Sequence, residues 1–139
     1  MTDGAGSPAG KHLSRPRIRG VLTMFYYENL AEATRWYTDV MGFEHVLRLD
    51  GAEIFRVEDN AHLALVAEGK GSQPVIPGRG KGVLLSIQTD DLEAWHERLF
   101  ALGVEGTGKG AHVGAGGTTI EFKVYDPGGY TIEFFEWIE

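Results

Sequence analysis

Five histidines, no cysteine and a glycine-rich stretch that ends in lysine are the features of this 139-residue chain that could do chemistry. Gly103 to Lys109 matches G-x-x-x-x-G-K, a pattern whose backbone amides cradle phosphates. The next residue is Gly110, where a phosphate loop needs Ser or Thr, and the stretch follows a helical segment instead of a strand. A nucleotide site is excluded. Residues 106–117 read instead as a mobile flap, because glycine-rich backbone costs little to move. Without cysteine there is neither a disulfide nor a zinc–thiolate site. Among the histidines, His12 lies in the N-terminal tail, His96 follows Trp95 on a face expected to meet solvent, and His45 and His112 belong to no motif. His62 stands just after an Asp59-Asn60 turn. Glu121 and Lys123 alternate with Ile120, Phe122 and Val124, so one of those two sets lines a cleft; the spacing does not say which.

The formal charge is −7, and it is unevenly spread. Lys11, Arg15, Arg17 and Arg19 against Asp3 make the first 20 residues +3, which leaves −10 on residues 21–139. A body so negative repels phosphate backbones, so nucleic acid is excluded as its partner and a cationic small molecule is favoured on approach. No apolar run approaches the ~18 residues of a membrane span, and the N-terminus lacks a signal peptide's apolar core. The expectation is a soluble, cytoplasmic protein with no membrane partner.

These residues must be positioned by a small set of elements. Residues 1–17 are poor in apolar side chains and rich in Gly, Ser and Pro, and read as a disordered tail. Residues 18–139 read as one domain, with a first module at 18–67, a linker at 68–81 and a second module at 82–137. In the first, residues 18–27 form a strand, Asn29 with Glu32 opens a helix, Gly42 stops it, and three strands follow around Asp50-Gly51 and Asp59-Asn60. In the second, residues 82–89 form a strand, Asp90 with Glu93 opens a helix ended by Gly103, and a short strand lies near Val104–Thr107. A last hairpin turns at Asp126-Pro127-Gly128-Gly129. The helix starts are 62 residues apart and the stops 61, which makes two copies of one βαβββ unit. The fold class is α+β, with two modules forming a curved mixed sheet around a cleft and the helices outside. Trp36, Tyr37 and Trp95 are expected between helix and sheet.

Three segments carry a family resemblance. They are Glu28-Asn29-Leu30 running into Arg35-Trp36-Tyr37-Thr38-Asp39-Val40-Met41-Gly42-Phe43, Thr89-Asp90-Asp91-Leu92 running to Leu102-Gly103-Val104, and Tyr125-Asp126-Pro127-Gly128-Gly129-Tyr130-Thr131-Ile132-Glu133-Phe134. With the paired modules, the chain over residues 18–137 resembles the vicinal-oxygen-chelate superfamily of glyoxalases, extradiol dioxygenases, fosfomycin-resistance enzymes and bleomycin-resistance proteins. The resemblance implies a divalent metal held by a His on each module's first strand and a Glu on the fourth strand of one or both. Those positions hold Leu22, Leu84 and Ala64 here, and only Glu133 keeps a donor. One carboxylate does not hold a catalytic metal, since such sites use about three protein ligands. No metal and no cofactor are expected.

Alternation about those positions places Met24 and Tyr26 with Leu22, Ser86 and Gln88 with Leu84, His62 and Val66 with Ala64, and Thr131 and Phe135 with Glu133. Phe55 falls on either face and is counted with the aromatic lining. The expected ligand-binding set is thus Met24, Tyr26, Phe55, His62, Ser86, Gln88, Glu133 and Phe135. His62 and Glu133 could meet as a general acid–base pair or as two ligands of a rebuilt metal site; a hydrogen-bonded His near a turn is the alternative. Among relatives, the pattern points to a homodimeric, metal-free protein that sequesters an aromatic or cationic natural product. The alternative is a lyase, isomerase or dioxygenase using relocated ligands or the His62/Glu133 pair. A third reading is an interaction module with no small ligand.

Overall fold

Helix α1 (Leu30–Asp39) starts at the expected cap: the Asn29 side chain accepts the Glu32 N–H at 3.0 Å. Helix α2 (Leu92–Ala101) starts differently. The Thr89 hydroxyl takes the Asp91 N–H at 2.9 Å, Asp91 becomes the cap residue without a side-chain bond, and the expected Asp90–Glu93 box does not form. Both helices belong to a computed structural model that describes residues 13–139. His12 and most of the expected tail lie outside the described residues.

Module one contributes β1 (Val21–Tyr27), β2 (Glu44–Leu49), β3 (Ala52–Glu58) and β4 (Ala61–Ala67), in the sheet order β1-β4-β3-β2. Module two contributes β5 (Leu84–Gln88), β6 (His112–Gly114), β7 (Thr119–Tyr125) and β8 (Thr131–Trp137), in the order β5-β8-β7-β6. In each sheet the first strand runs parallel to the last and the remaining pairs are antiparallel. The fold is therefore α+β, two mixed four-stranded sheets of the same topology with a helix apiece.

One strand differs from expectation. Val104–Thr107 forms no strand, because Gly106 takes φ 102° and turns the chain into a short 3-10 helix at Thr107–Lys109. The second strand of module two is instead β6, inside the glycine-rich loop, where His112 faces Glu121 and Gly114 faces Thr119 across the β6–β7 ladder. That part of the loop is a sheet edge and not a flap.

Both helices cover the same side of their sheets and share one core. Phe25, Tyr37, Phe55, Leu63, Leu65, Leu99, Phe122, Val124, Ile132 and Phe134 are all essentially without solvent contact there. Trp36 and Trp95 pack against it from the helices, as expected. The modules are joined by Tyr130, whose ring stacks on Phe25 at 3.9 Å and whose hydroxyl accepts the Tyr26 N–H at 2.8 Å. Arg98 of α2 donates to the Val40 and Asp39 carbonyls at the end of α1, at 2.9 and 3.2 Å. The opposite sheet faces carry no helix. Leu22, Met24, Leu47, Leu49 and Leu84 on those faces are each 40–51% exposed. Among the described residues, no helix is long and apolar enough to cross a membrane.

Candidate functional site

Strand register decides what the helix-free faces present. On module one, Leu22 pairs with His62, Met24 with Ala64 and Tyr26 with Val66. On module two, Leu84 pairs with Thr131, Ser86 with Glu133 and Gln88 with Phe135. Leu22 and Ala64 are thus diagonal neighbours on adjacent strands, and Leu84 and Glu133 stand in the same diagonal relation. The four positions that the family resemblance assigns to metal ligands occupy equivalent places in the two sheets.

Glu133 is the one donor among the four, and it is already engaged. Ser86 Oγ donates to its Oε1 at 2.5 Å, and Lys123 Nζ lies 3.0 Å from its Oε2. The same ammonium reaches Glu121 Oε2 at 2.5 Å, and Thr119 Oγ1 donates to Glu121 Oε1 at 2.7 Å. The result is a continuous chain of contacts, Thr119–Glu121–Lys123–Glu133–Ser86, across β7, β8 and β5. Glu121 is only 7% exposed. The hydrogen bond from Lys123, then that from Thr119, hold its carboxyl at about 2 against a burial that works the other way. Burial alone would depress the Lys123 ammonium, but the two carboxylates more than reverse this and its pKa is raised.

These residues do not fit the divalent metal that the resemblance implies. Two leucines and an alanine offer no lone pair, and an ammonium neutralises the remaining carboxylate. Among the described residues, no group of three or more His, Cys, Asp or Glu side chains could hold a metal ion. The arrangement can instead bind: an exposed Trp137, half-buried Phe135 and the two carboxylates line an open cavity of about 380 Å³ with Ser86, Ala115 and Thr119.

The Lys123 contacts can be tested directly. Glu121 has a folded pKa below its ordinary 4.5, so its share of stability is full above that value and is lost as pH falls towards about 2. In Lys123→Met, the Glu121 carboxyl is expected to titrate well above its present value of about 2, because its strongest donor is gone while burial still opposes its charge. A side-chain ¹³C shift titration reads this. A Glu121 midpoint still near 2 would mean that Thr119, not Lys123, sets it.

Of the residues expected from sequence, Met24, Ser86, Gln88, Glu133 and Phe135 lie on the helix-free faces. Tyr26 shares that face but is only 6% exposed, because the linker at Gly71 lies against its ring and leaves no room there for a Cβ. Phe55 is corrected. It is fully buried on the helix side, between His45 at 4.9 Å and Tyr37 at 6.2 Å, because Ile54 takes the other face. Within one chain His62 and Glu133 are not brought together: they stand on separate sheets, and His62 Nε2 lies 3.4 Å from Arg56 Nη1. His96 is also not turned to solvent. Its Nε2 sits 2.8 Å from the Thr107 carbonyl and its ring meets Phe122 edge-on. The sequence does not single out Trp137, and it gives Lys109 and His112 no binding role. The alternation of Ile120, Phe122 and Val124 with Glu121 and Lys123 leaves the choice of face open in the sequence, and the structure turns Glu121 and Lys123 to the helix-free side.

The family model for the Glyoxalase/Bleomycin resistance protein/Dioxygenase superfamily matches residues 21–134. Among solved structures, a lactoylglutathione lyase from Agrobacterium tumefaciens is 24% identical, with a TM-score of 0.66, over 87% of this chain and 95% of that one. A glyoxalase/bleomycin resistance protein/dioxygenase from Nocardioides is 21% identical, with a TM-score of 0.68, over 92% and 87%. A glyoxalase family protein from Bacillus anthracis is 20% identical, with a TM-score of 0.69, over 90% and 100%. At such identities the likeness is one of fold. A search of the curated proteins finds no match. Since the family match runs from β1 into β8 and takes in both βαβββ modules, the chain belongs to the glyoxalase/bleomycin resistance protein/dioxygenase superfamily.

Proposed function

We propose that this chain binds and sequesters an aromatic, cationic natural product on its helix-free sheet faces, as a homodimer and without the superfamily's metal. The observation that carries the reading is the state of the four ligand positions: Leu22, Ala64 and Leu84 donate nothing, and Glu133 is held by Ser86 and Lys123. Two carboxylates share one ammonium, which leaves the group a net negative charge beside Phe135 and Trp137. Aromatic faces next to unbalanced carboxylates suit a flat cation. The half-exposed leucines of the same faces favour a second copy as their cover. An acid–base reading with His62 and Glu133 would need that second copy to bring them together.

The test is a fluorescence titration with bleomycin, a cationic aromatic glycopeptide, and with S-lactoylglutathione, each with and without a chelator. Saturable binding of bleomycin, unchanged by chelator and without product in mass spectra, is expected. Trp137→Ala should then weaken it about tenfold, or ~1.4 kcal/mol. Turnover of either compound, or loss of binding with chelator, would replace sequestration by catalysis.

A further inference from the structure

Module two's helix-free face is bipolar. The carboxylates and aromatics described above lie towards β8 and the start of β7. Towards β6 and the end of β7 lies a separate cavity of about 240 Å³, lined by Gly106, Lys109, Gly110, His112, Lys123 and Tyr125. Its three nitrogen donors come from three different pieces of chain: the 3-10 turn, the edge strand β6, and β7. Among the described residues, Lys109 and His112 have no side-chain hydrogen bond or ion pair. An ammonium has three N–H groups. Lys123 directs two of them to Glu121 and Glu133, and its third remains for a ligand in the cavity it lines. Gly106 and Gly110 both take positive φ, so that part of the wall is bare backbone. Arg79 lies over the other wall, its guanidinium carbon 3.6 Å from the Tyr125 ring centre.

Converging donors in a concave site, on a body that is otherwise strongly negative, have one natural occupant. We propose that Lys109, His112 and Lys123 form a subsite for an anionic oxygen group, a carboxylate or a phosphate, on the ligand held by Glu121, Glu133, Phe135 and Trp137. The ligand is therefore a zwitterion. This rests on the proposed binding of a cationic aromatic compound, although the anion subsite can be tested by itself. The spacing agrees with a small molecule. His112, Glu121 and Phe135 form one row across β6, β7 and β8, and two strand spacings span about 10 Å.

Four probes separate the parts: N-methylpyridinium, benzoate, inorganic phosphate and trigonelline, which joins a pyridinium to a carboxylate. Benzoate is expected to shift the amide resonances of residues 109–114 and 123, and Lys109→Gln, a change at an exposed side chain, should abolish this. Trigonelline should bind at least tenfold more tightly than N-methylpyridinium, and Lys109→Gln should cut that advantage to about twofold. If phosphate shifts the same amides and benzoate does not, the anionic group is a phosphate. If neither anion shifts them, or if trigonelline gains nothing over N-methylpyridinium, the subsite is wrong. Failure of N-methylpyridinium alone would count against the cation reading while benzoate and Lys109→Gln still decide the anion subsite.

Discussion

Replacing Asp126 by alanine is expected to cost about 3–5 kcal/mol, through buried donors left unsatisfied, and to lower the melting temperature by roughly 10–20 °C. Asp126 is 6% exposed in the Asp-Pro-Gly-Gly turn between β7 and β8. Its Oδ2 accepts the hydroxyls of Tyr27 and of Tyr37, the latter at 2.7 Å. Its Oδ1 accepts the N–H groups of Gly128 and Tyr130 at 2.9 and 2.8 Å. Tyr27 and Tyr37 belong to module one, so one carboxylate ties the modules together, and alanine would take the acceptor from four donors, of which only the Tyr27 hydroxyl has another within reach, the Tyr37 oxygen at 3.5 Å. Asparagine in its place would keep Oδ1 for the two amides, and the tyrosine hydroxyls can turn to accept from its side-chain amide, so Asp126→Asn should cost about 1–2 kcal/mol. The two variants also differ in pH dependence. Burial raises the Asp126 pKa above its ordinary 3.8, although its hydrogen bonds oppose this. The folded chain then holds that proton more tightly than the unfolded chain. The group's contribution is full below 3.8 and declines as pH rises through the raised value. Asp126→Asn should remove that decline. Denaturant melts of the three proteins across pH 4 to 8 check both points; an Asp126→Ala loss under about 1 kcal/mol would mean that water replaces the carboxylate.

The same network shows how far the sequence could be read. The paired βαβββ units, the Asn29 cap and the Asp50-Gly51 and Asp126–Gly129 turns are local signals that survive folding, whereas the Asp90–Glu93 box and the Val104–Thr107 strand do not. In β7 the alternation of Phe122 and Val124 with Glu121 and Lys123 showed two faces without saying which of them lines the cleft. The faces were not legible in β3, where Ile54 and Phe55 are adjacent and both apolar. Either could have entered the core, and Phe55 did because its ring fits beneath Tyr37. Strand β6 was hidden because His112-Val113-Gly114 is too short to show a period and sits among glycines. The separation of His62 from Glu133 was out of reach for another reason. It depends on how two modules pack, to which Tyr130, Asp126 and Arg98 contribute through contacts between residues far apart in sequence.

A gain of function would test the register argument most severely. Because Leu22–Ala64 and Leu84–Glu133 are equivalent diagonals, the combined substitutions Leu22→His, Ala64→Glu and Leu84→His restore a donor at each family position. Lys123→Leu frees Glu133 from its ammonium. In the proposed homodimer, where a second copy brings the two diagonals together, the quadruple variant is expected to bind zinc or nickel with a dissociation constant of about 1 μM or tighter, near 8 kcal/mol, whereas the parent chain should show no measurable heat in calorimetry. Leu22→His with Ala64→Glu alone should bind weakly, since one module then supplies two ligands and such sites need about three. Stability should report the same event with opposite signs. Ala64 is 1% exposed, so a glutamate there buries a carboxylate and destabilises the metal-free variant. Added metal neutralises that charge and should raise the melting temperature of the variant while leaving the parent unmoved. If the quadruple variant binds metal no better than the two-residue variant, the diagonals of the two modules do not converge on one point, and the family's site cannot have been lost here by side-chain replacement alone.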